Sequence, residues 1–175
     1  MLRGVGAKTI ASQGGGMLPV RVECKTCHRF QERSSTGTVL WRASAESCAT
    51  CHDNSAIPRL KAYQEELKAA TKEIEEGTRR AREAAKSASL PESQAGEIAG
   101  QLESVQHDLD FLRVANGIHN IHYAASLTSA LADRVTALCR KLKIPEPKIT
   151  LPKKVDGLNG GFMGGGGSLG AAAAP

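Results

Sequence analysis

Aromatic residues are scarce in this sequence, which has three Phe, two Tyr and one Trp among 175 residues. Aromatic side chains are large core fillers, so a chain of this length with so few of them should need something besides side chains to build its interior. The length allows one domain of ordinary size and excludes a large enzyme.

Long apolar runs and blocks of basic residues are also lacking. No run approaches the roughly 18 consecutive apolar residues that a membrane-spanning helix needs, so we predict no membrane span in this chain. The formal charge is +5, without a Lys/Arg block that would follow phosphates and with few aromatics to stack on bases. We therefore predict no nucleic-acid partner.

Glycine is scarce in the middle of the chain: thirteen of the 18 glycines lie in residues 1–16 or after Asp156. This distribution predicts a flexible N-terminal segment at 1–19 and a disordered tail at 145–175, which has prolines first and then Gly and Ala. The N-terminal glycines interrupt any apolar core of a signal peptide, so we expect no export signal. Between the ends we predict a cysteine-bearing segment at 20–56 and a helical part at 57–144.

Three helices are predicted in the helical part, each from apolar or small residues that alternate three and four positions apart. The first begins at Pro58 and has its seam at Leu60, Tyr63, Leu67, Ala70, Ile74, Gly77, Ala81 and Ala84. The second follows a capping box formed by Ser89 and Glu92 and has its seam at Ile98, Leu102, Val105, Leu109 and Leu112. The third carries Tyr123, Leu127, Leu131, Val135, Leu138 and Leu142 and ends before Pro145. We therefore expect an all-α fold, in which a loop-rich cysteine segment precedes a long helical hairpin and a third helix.

Two C-x-x-C-H motifs, at residues 24–28 and 48–52, are the strongest functional signal. Two thiols separated by two residues can reach the two vinyl groups of a porphyrin, and the histidine that follows can bind the iron. The motifs predict two covalently attached c-type haems, with His28 and His52 as the proximal ligands. The predicted cofactor-binding residues are Cys24, Cys27, His28, Cys48, Cys51 and His52.

Two other interpretations of these cysteines stay open. The spacing also suits a structural zinc site with four thiolates, which would make the chain a helical interaction module. The histidine after each pair favours haem, because His is only 5 of 175 residues and would stand at both positions by chance about once in a thousand. Disulfides or redox-active C-x-x-C pairs are a further alternative, although no alternation of strands and helices surrounds either pair.

The remaining histidines are candidates for the distal haem positions, which electron-transfer haems normally have filled. His119 is the first choice, because Gly117 nearby would let a flat ring approach the backbone. His122 lies three residues on, on about the same helical face. His107 is the third candidate. The candidate iron ligands are thus His28, His52, His119, His122 and His107.

The stretch from about residue 20 to 142 resembles the C-terminal region of multihaem cytochromes c related to cytochrome c nitrite reductases and octahaem oxidoreductases. The matching residues after the haem motifs are Asp108-Leu109-Asp110-Phe111 and Gly117-Ile118-His119-Asn120. The resemblance implies that His119 is an axial ligand and that the chain is a periplasmic electron carrier. Its partners would be redox proteins or an N-terminal multihaem region that this sequence lacks.

The sequence departs from that family in several respects. Ile121 stands where the family often has proline, and no C-x-x-C-K motif of a catalytic haem is present. We therefore predict no enzyme activity for this chain alone. Family members are much longer and carry more haem motifs, so the chain is expected to be a C-terminal fragment or the electron-entry part of a larger oxidoreductase.

Overall fold

The computed structural model of the chain describes residues 3–14, 23–43, 45–49, 51–115 and 117–153. These residues form a mostly helical structure with three long helices packed together after a short two-stranded hairpin. None of the described helices combines the length and the apolar character needed to cross a bilayer. The predicted tail beyond residue 153 lies outside the described residues.

The cysteine segment contains two one-turn helices and a β-hairpin. Helix α1 (Cys24–Cys27) leads directly into strand β1 (His28–Arg33), which pairs antiparallel with β2 (Val39–Ala43), and α2 (Ala45–Cys48) follows. A turn with Gly37 at φ +82° joins the strands, a backbone angle that favours glycine. The sequence predicted a loop-rich segment here, so the hairpin departs from the all-α class, which holds for the helical part only.

The helical part forms an up-down-up bundle of α3 (Ala56–Ser87), α4 (Glu92–Ala115) and α5 (Ile121–Lys141). A single 3₁₀ turn, Ile118–Asn120, lies between α4 and α5. Cross-helix pairs set the directions: Glu75 on α3 accepts a 2.6 Å bond from Arg113 on α4, and Lys141 on α5 donates at 2.7 Å to Glu97. Each helix is thus antiparallel to the next in sequence.

The predicted seams are confirmed as the core of this bundle, with only their outermost members partly exposed. The fully buried side chains include Tyr63, Ile74, Ile98, Val105, Leu109, Tyr123, Leu127, Leu131, Val135 and Leu138. Buried Thr78 and Thr128 satisfy their hydroxyls by donating to the carbonyls four residues back, at 2.7 and 2.8 Å. Cys139 packs in the same core.

The capping box predicted before α4 is wrong. The first helical hydrogen bond runs from the Ala95 amide to the Pro91 carbonyl at 2.9 Å, and α4 begins at Glu92. Glu92 is therefore the first residue of the helix, whereas a capping box with Ser89 would need it at the third position. Proline suits the start of a helix because its missing amide proton is not needed there.

The sequence predicted a flexible N-terminal segment and a disordered tail. The described residues of both contact the bundle. Residues 3–14 lie against α4 and the start of α5 through four hydrogen bonds to three side chains, those of Asp108, Asn120 and Tyr123. After α5, Ile144 and Ile149 pack on the core, and the Lys153 amide donates at 2.8 Å to Glu66 on α3. The chain after α5 therefore returns along α3.

Candidate cofactor-attachment site

Both C-x-x-C-H motifs contain the same backbone hydrogen bond, from the histidine amide to the carbonyl of the first cysteine. In the first motif the His28 amide donates to the Cys24 carbonyl, and in the second the His52 amide donates at 2.9 Å to the Cys48 carbonyl. Each motif therefore closes one helical turn, which places its two cysteines three residues apart on one side and the histidine directly after them. This arrangement suits attachment of one planar group to both thiols.

All four motif cysteines are free thiols, and none is fully buried. Cys24 and Cys51 are exposed, whereas Cys27 and Cys48 are half-buried. The hydroxyl of Ser47 donates at 3.0 Å to the Cys27 carbonyl and so ties α2 to α1. Burial raises the pKa of the Cys48 thiol, and the nearby Cys27 and Glu46 raise it further. The two motifs therefore lie side by side.

The hairpin orients the ring of His28. Its Nδ1 lies 3.1 Å from the carbonyl oxygen of Trp41 on β2, and since a carbonyl only accepts, Nδ1 carries the proton. In the neutral ring this tautomer leaves the lone pair on Nε2, the nitrogen that metal-bound histidines commonly present. The strand pairing that the sequence did not predict thus prepares one candidate ligand.

A short link joins the second motif to the bundle. The Asp53 carboxylate accepts a 2.8 Å bond from the Ser55 amide, and the Ala56 amide donates at 3.0 Å to the Asp53 carbonyl. Hydrogen bonds from Ser55 hold the pKa of Asp53 below its usual value. His52 therefore lies directly before this link, close in sequence to the start of α3.

The two preferred distal candidates lie at the end of the bundle where α3 begins. The Tyr63 hydroxyl, in the second turn of α3, donates at 3.0 Å to the carbonyl of Ile121, the first residue of α5. His122 is the next residue and is exposed. His119 belongs to the 3₁₀ turn, and its side chain lies outside the described part of the chain.

Two sequence-based arguments about these histidines are wrong. Asn120 caps α5, so His119 lies before the helix and His122 within its first turn, and the two do not share one helical face. Gly117 has φ +65°, but a side chain there would overlap Leu67 of α3. The space above Gly117 is therefore taken by a core leucine rather than open to a flat ring.

His107, the third candidate, has a different partner. Its Nδ1 lies 2.8 Å from a carboxylate oxygen of Asp108. It stands eight residues before the end of α4, or about 12 Å along the helix axis at 1.5 Å per residue. The structure therefore associates His107 with Asp108 and not with the cysteine segment.

The cysteine segment has almost no core of its own. Ser47 is the only buried residue among those described between 23 and 55, and Phe30, Val39 and Trp41 are exposed hydrophobics. Within the described residues no three His, Cys, Asp or Glu side chains are grouped to bind one metal ion. Units of this size without a core of their own usually depend on disulfides, a metal or association with another surface for their stability.

The sequence analysis missed two buried polar residues. Asp108 accepts hydrogen bonds from the Lys8 and Thr9 amides, and Asn120 caps α5. Asp108 is fully buried and Asn120 nearly so. The signal for Asp108 was available, because a carboxylate three residues after Val105 falls on the buried face of the predicted helix. For Asn120 the signal was weaker, since the N-cap position depends on where the 3₁₀ turn ends.

Comparison of the chain with protein-family models, with curated proteins and with solved structures finds no match. The interpretation of the site therefore depends on the residues described above.

Proposed function

We propose that this chain is an electron-transfer module that holds two c-type haems, of the kind found in multihaem cytochromes. The observation that carries the proposal is the doubled C-x-x-C-H motif, with the same backbone hydrogen bond in both copies and both thiol pairs accessible. When bound, each haem supplies an iron that takes up and releases one electron.

The residues of the chain have separate tasks in this proposal. Cys24 with Cys27, and Cys48 with Cys51, form the thioether bonds. His28 and His52 are the proximal ligands, and the Trp41 carbonyl keeps the His28 lone pair on Nε2.

His119 and His122 are the proposed distal ligands, because the turn that carries them lies at the end of the bundle where α3 leaves the second motif. The exposed hairpin side chains Phe30 and Trp41 would cover apolar porphyrin. Lys25, Arg29 and Arg33 suit haem propionates or an acidic redox partner.

The proposal places the protein outside the cytoplasm, in a periplasm, since haem attachment to C-x-x-C-H takes place there in the family that the sequence resembles. It gives the chain no catalytic residue of its own. As part of a longer multihaem oxidoreductase, the same module would bring electrons to a catalytic haem elsewhere. Its partners are then redox proteins or further haem-bearing regions.

A structural zinc site is the second candidate, and one observation favours it. The hydroxyl of Ser47, next to Cys48, donates at 3.0 Å to the Cys27 carbonyl, which brings the two C-x-x-C pairs side by side. Closure of the four thiolates around Zn²⁺ would make the segment a zinc-stapled module beside the bundle.

The deciding experiment is a count of covalently bound haem. The full chain, fused to a signal peptide, is expressed in cells equipped for cytochrome c maturation, and a pyridine haemochrome spectrum is recorded after acid-acetone extraction. We expect two haems per chain, and one in a variant with Cys24→Ala and Cys27→Ala. The matched variant with Cys48→Ala and Cys51→Ala should also retain one. A chain with no retained haem and one bound zinc would overturn the proposal in favour of the second candidate.

A further inference from the structure

The N-terminal strap, defined as residues 3–14, is held in a fixed course on the bundle although five glycines lie in or next to it. Its ends meet, because the Gln13 amide donates at 2.9 Å to the Gly4 carbonyl. Gly4 has φ +62°, and a side chain there would overlap the Gln13 backbone. Ala7 and Ile10 are partly buried against the core. The strap is therefore a closed loop with one face on the bundle.

The side chain of Asp108 binds the main chain in the middle of the strap. Its carboxylate is fully buried and accepts 2.8 Å bonds from the amides of Lys8 and Thr9, one on each oxygen. His107 contacts the same carboxylate from the solvent side. Hydrogen bonds to an ionised carboxylate are stronger than those between neutral groups. Both of these strap donors are backbone amides, so Asp108 contacts the main chain of the strap.

Two aromatic rings bind the neighbouring part of the strap. Phe111 and Tyr123 pack edge to face with ring centroids 6.3 Å apart. The Tyr123 hydroxyl accepts a 3.1 Å bond from the Ala7 amide. Gly6 lies against the Phe111 ring at φ +117°, and an added Cβ would come within 2.9 Å of it. The Phe111 ring thus leaves no room for a side chain at position 6 of the strap.

Asn120 joins the strap to the turn that carries His119. Its Nδ2 donates at 2.8 Å to the Gln13 carbonyl, while its Oδ1 accepts a 3.0 Å bond from the Tyr123 amide and caps α5. One nearly buried side chain therefore contacts both the strap and the first turn of α5. It directly follows His119 in the sequence.

We propose that four side chains form a docking groove for the strap, and that the docked strap fixes the turn that carries His119. The four are Asp108, Phe111, Asn120 and Tyr123. They are positioning residues, since they act on the candidate ligand through the backbone. The part of this inference that concerns iron ligation rests on the proposed function, whereas the groove and its coupling to the turn do not.

The test uses amide hydrogen exchange of the full chain without haem, followed by NMR. Asp108→Asn replaces one acceptor oxygen by an NH₂ group that faces a strap amide. We expect exchange at Lys8 and Thr9 to accelerate at least about tenfold, the equivalent of one charged hydrogen bond. Exchange at the Tyr123 amide, which reports the turn, should accelerate about fivefold, the equivalent of a weakened N-cap. Asp110→Asn, an exposed carboxylate on the same helix, is the matched control and should leave all three amides unchanged.

A second variant guards against simple unfolding. Gly6→Ala changes only the strap, and its φ and its contact with Phe111 should expel the strap from the groove. The same three amides should then exchange faster, while the core amides of Val105 and Leu131 keep their protection. Unchanged exchange at Lys8 and Thr9 in both variants would overturn the groove. Faster exchange there with an unchanged Tyr123 amide would overturn the coupling to the turn.

The haem-loaded chain provides an independent readout. Asp108→Asn should retain both haems but raise the high-spin fraction in the visible spectrum, because His119 is less well placed, and Asp110→Asn should not. Two haems with an unchanged low-spin spectrum would overturn the effect on ligation. If wild-type chain retains no haem, the proposed function fails, and the exchange data alone decide the inference.

Discussion

The hydroxyl of Tyr63 donates a 3.0 Å hydrogen bond to the carbonyl of Ile121, which connects the second turn of α3 to the first residue of α5. The two residues are 58 positions apart in the sequence. Tyr63 is almost fully buried, and burial raises the pKa of its phenol above the usual value. This contact joins the N-terminal part of α3, which follows the second cysteine motif, to the start of α5, which follows the turn with His119.

Replacement of Tyr63 by Phe should therefore destabilise the bundle by about 1 kcal/mol at neutral pH, the usual net value of one hydrogen bond. The variant should also change the alkaline behaviour. Because the pKa of Tyr63 is higher in the folded state than in the unfolded state, the protonated hydroxyl stabilises the fold fully below about pH 10. This stabilisation is lost as the pH rises beyond that value. Urea unfolding from pH 7 to 11 measures both effects. Equal stability of the two proteins at every pH would contradict the role given to this hydroxyl.

Replacing Gly77 or Gly100 by alanine should change the free energy of unfolding in opposite directions, and the two variants form a matched pair. A Cβ at Gly77 would come within 2.7 Å of Val135 on α5 and 3.1 Å of Pro147, whereas a Cβ at Gly100 meets nothing within 4 Å. Gly77→Ala should cost about 1–3 kcal/mol through overpacking. Gly100→Ala should stabilise α4 by about 0.5–1 kcal/mol, since alanine is the better helix former. Thermal unfolding compares them, and a stabilising Gly77→Ala would show that α3 and α5 are not so closely packed.

Asp108 should make the fold sensitive to acid. Burial raises the pKa of this carboxyl, but hydrogen bonds from Thr9, Lys8 and His107 outweigh burial and hold the pKa below its usual value. A lowered folded-state pKa gives stability that is present above about pH 4 and is lost as the pH falls further. Urea unfolding between pH 2.5 and 6 should therefore show a smaller pH dependence in Asp108→Asn than in the wild type. Parallel curves for the two proteins would be inconsistent with an ionised Asp108 in the folded state.

The distal histidines can be separated by single alanine variants of the haem-loaded chain. His119→Ala should convert one haem to high spin, and His122→Ala should do the same if each histidine serves one iron. His107→Ala is the control, because its ring contacts Asp108 and it lies about 12 Å along α4 from the end of that helix. Visible and electron paramagnetic resonance spectra report the spin state. A low-spin spectrum that survives His119→Ala would remove His119 from the ligand set.

The three helices and their buried seams could be predicted from the sequence because they depend on periodicity. Positions such as Ile74, Leu109 and Leu131 repeat at helical spacing, and such positions are buried wherever the helices pack together. The two C-x-x-C-H motifs were equally visible, since their spacing can be read from the sequence alone.

Other features could not be predicted because they depend on contacts between distant residues. Strand β1 has charged and polar residues on both faces and is defined by its pairing with β2, so it carries no periodic signal. The strap was interpreted as flexible from its glycines, yet Gly4 and Gly6 are required there by close contacts with Gln13 and Phe111. Glycine content alone does not distinguish a flexible segment from one that is closely packed.

The contrast between the two parts of the chain has a consequence for how the proposed haem module would mature. The bundle is built from neighbouring helices joined by residues 88–91 and 116–120, and such local connections favour rapid folding. The cysteine segment contributes almost nothing to that core and keeps its thiols accessible. If the chain binds haem as proposed, folding and haem attachment would be separable steps, and a maturation enzyme would meet a folded helical bundle with an accessible cysteine segment at its end.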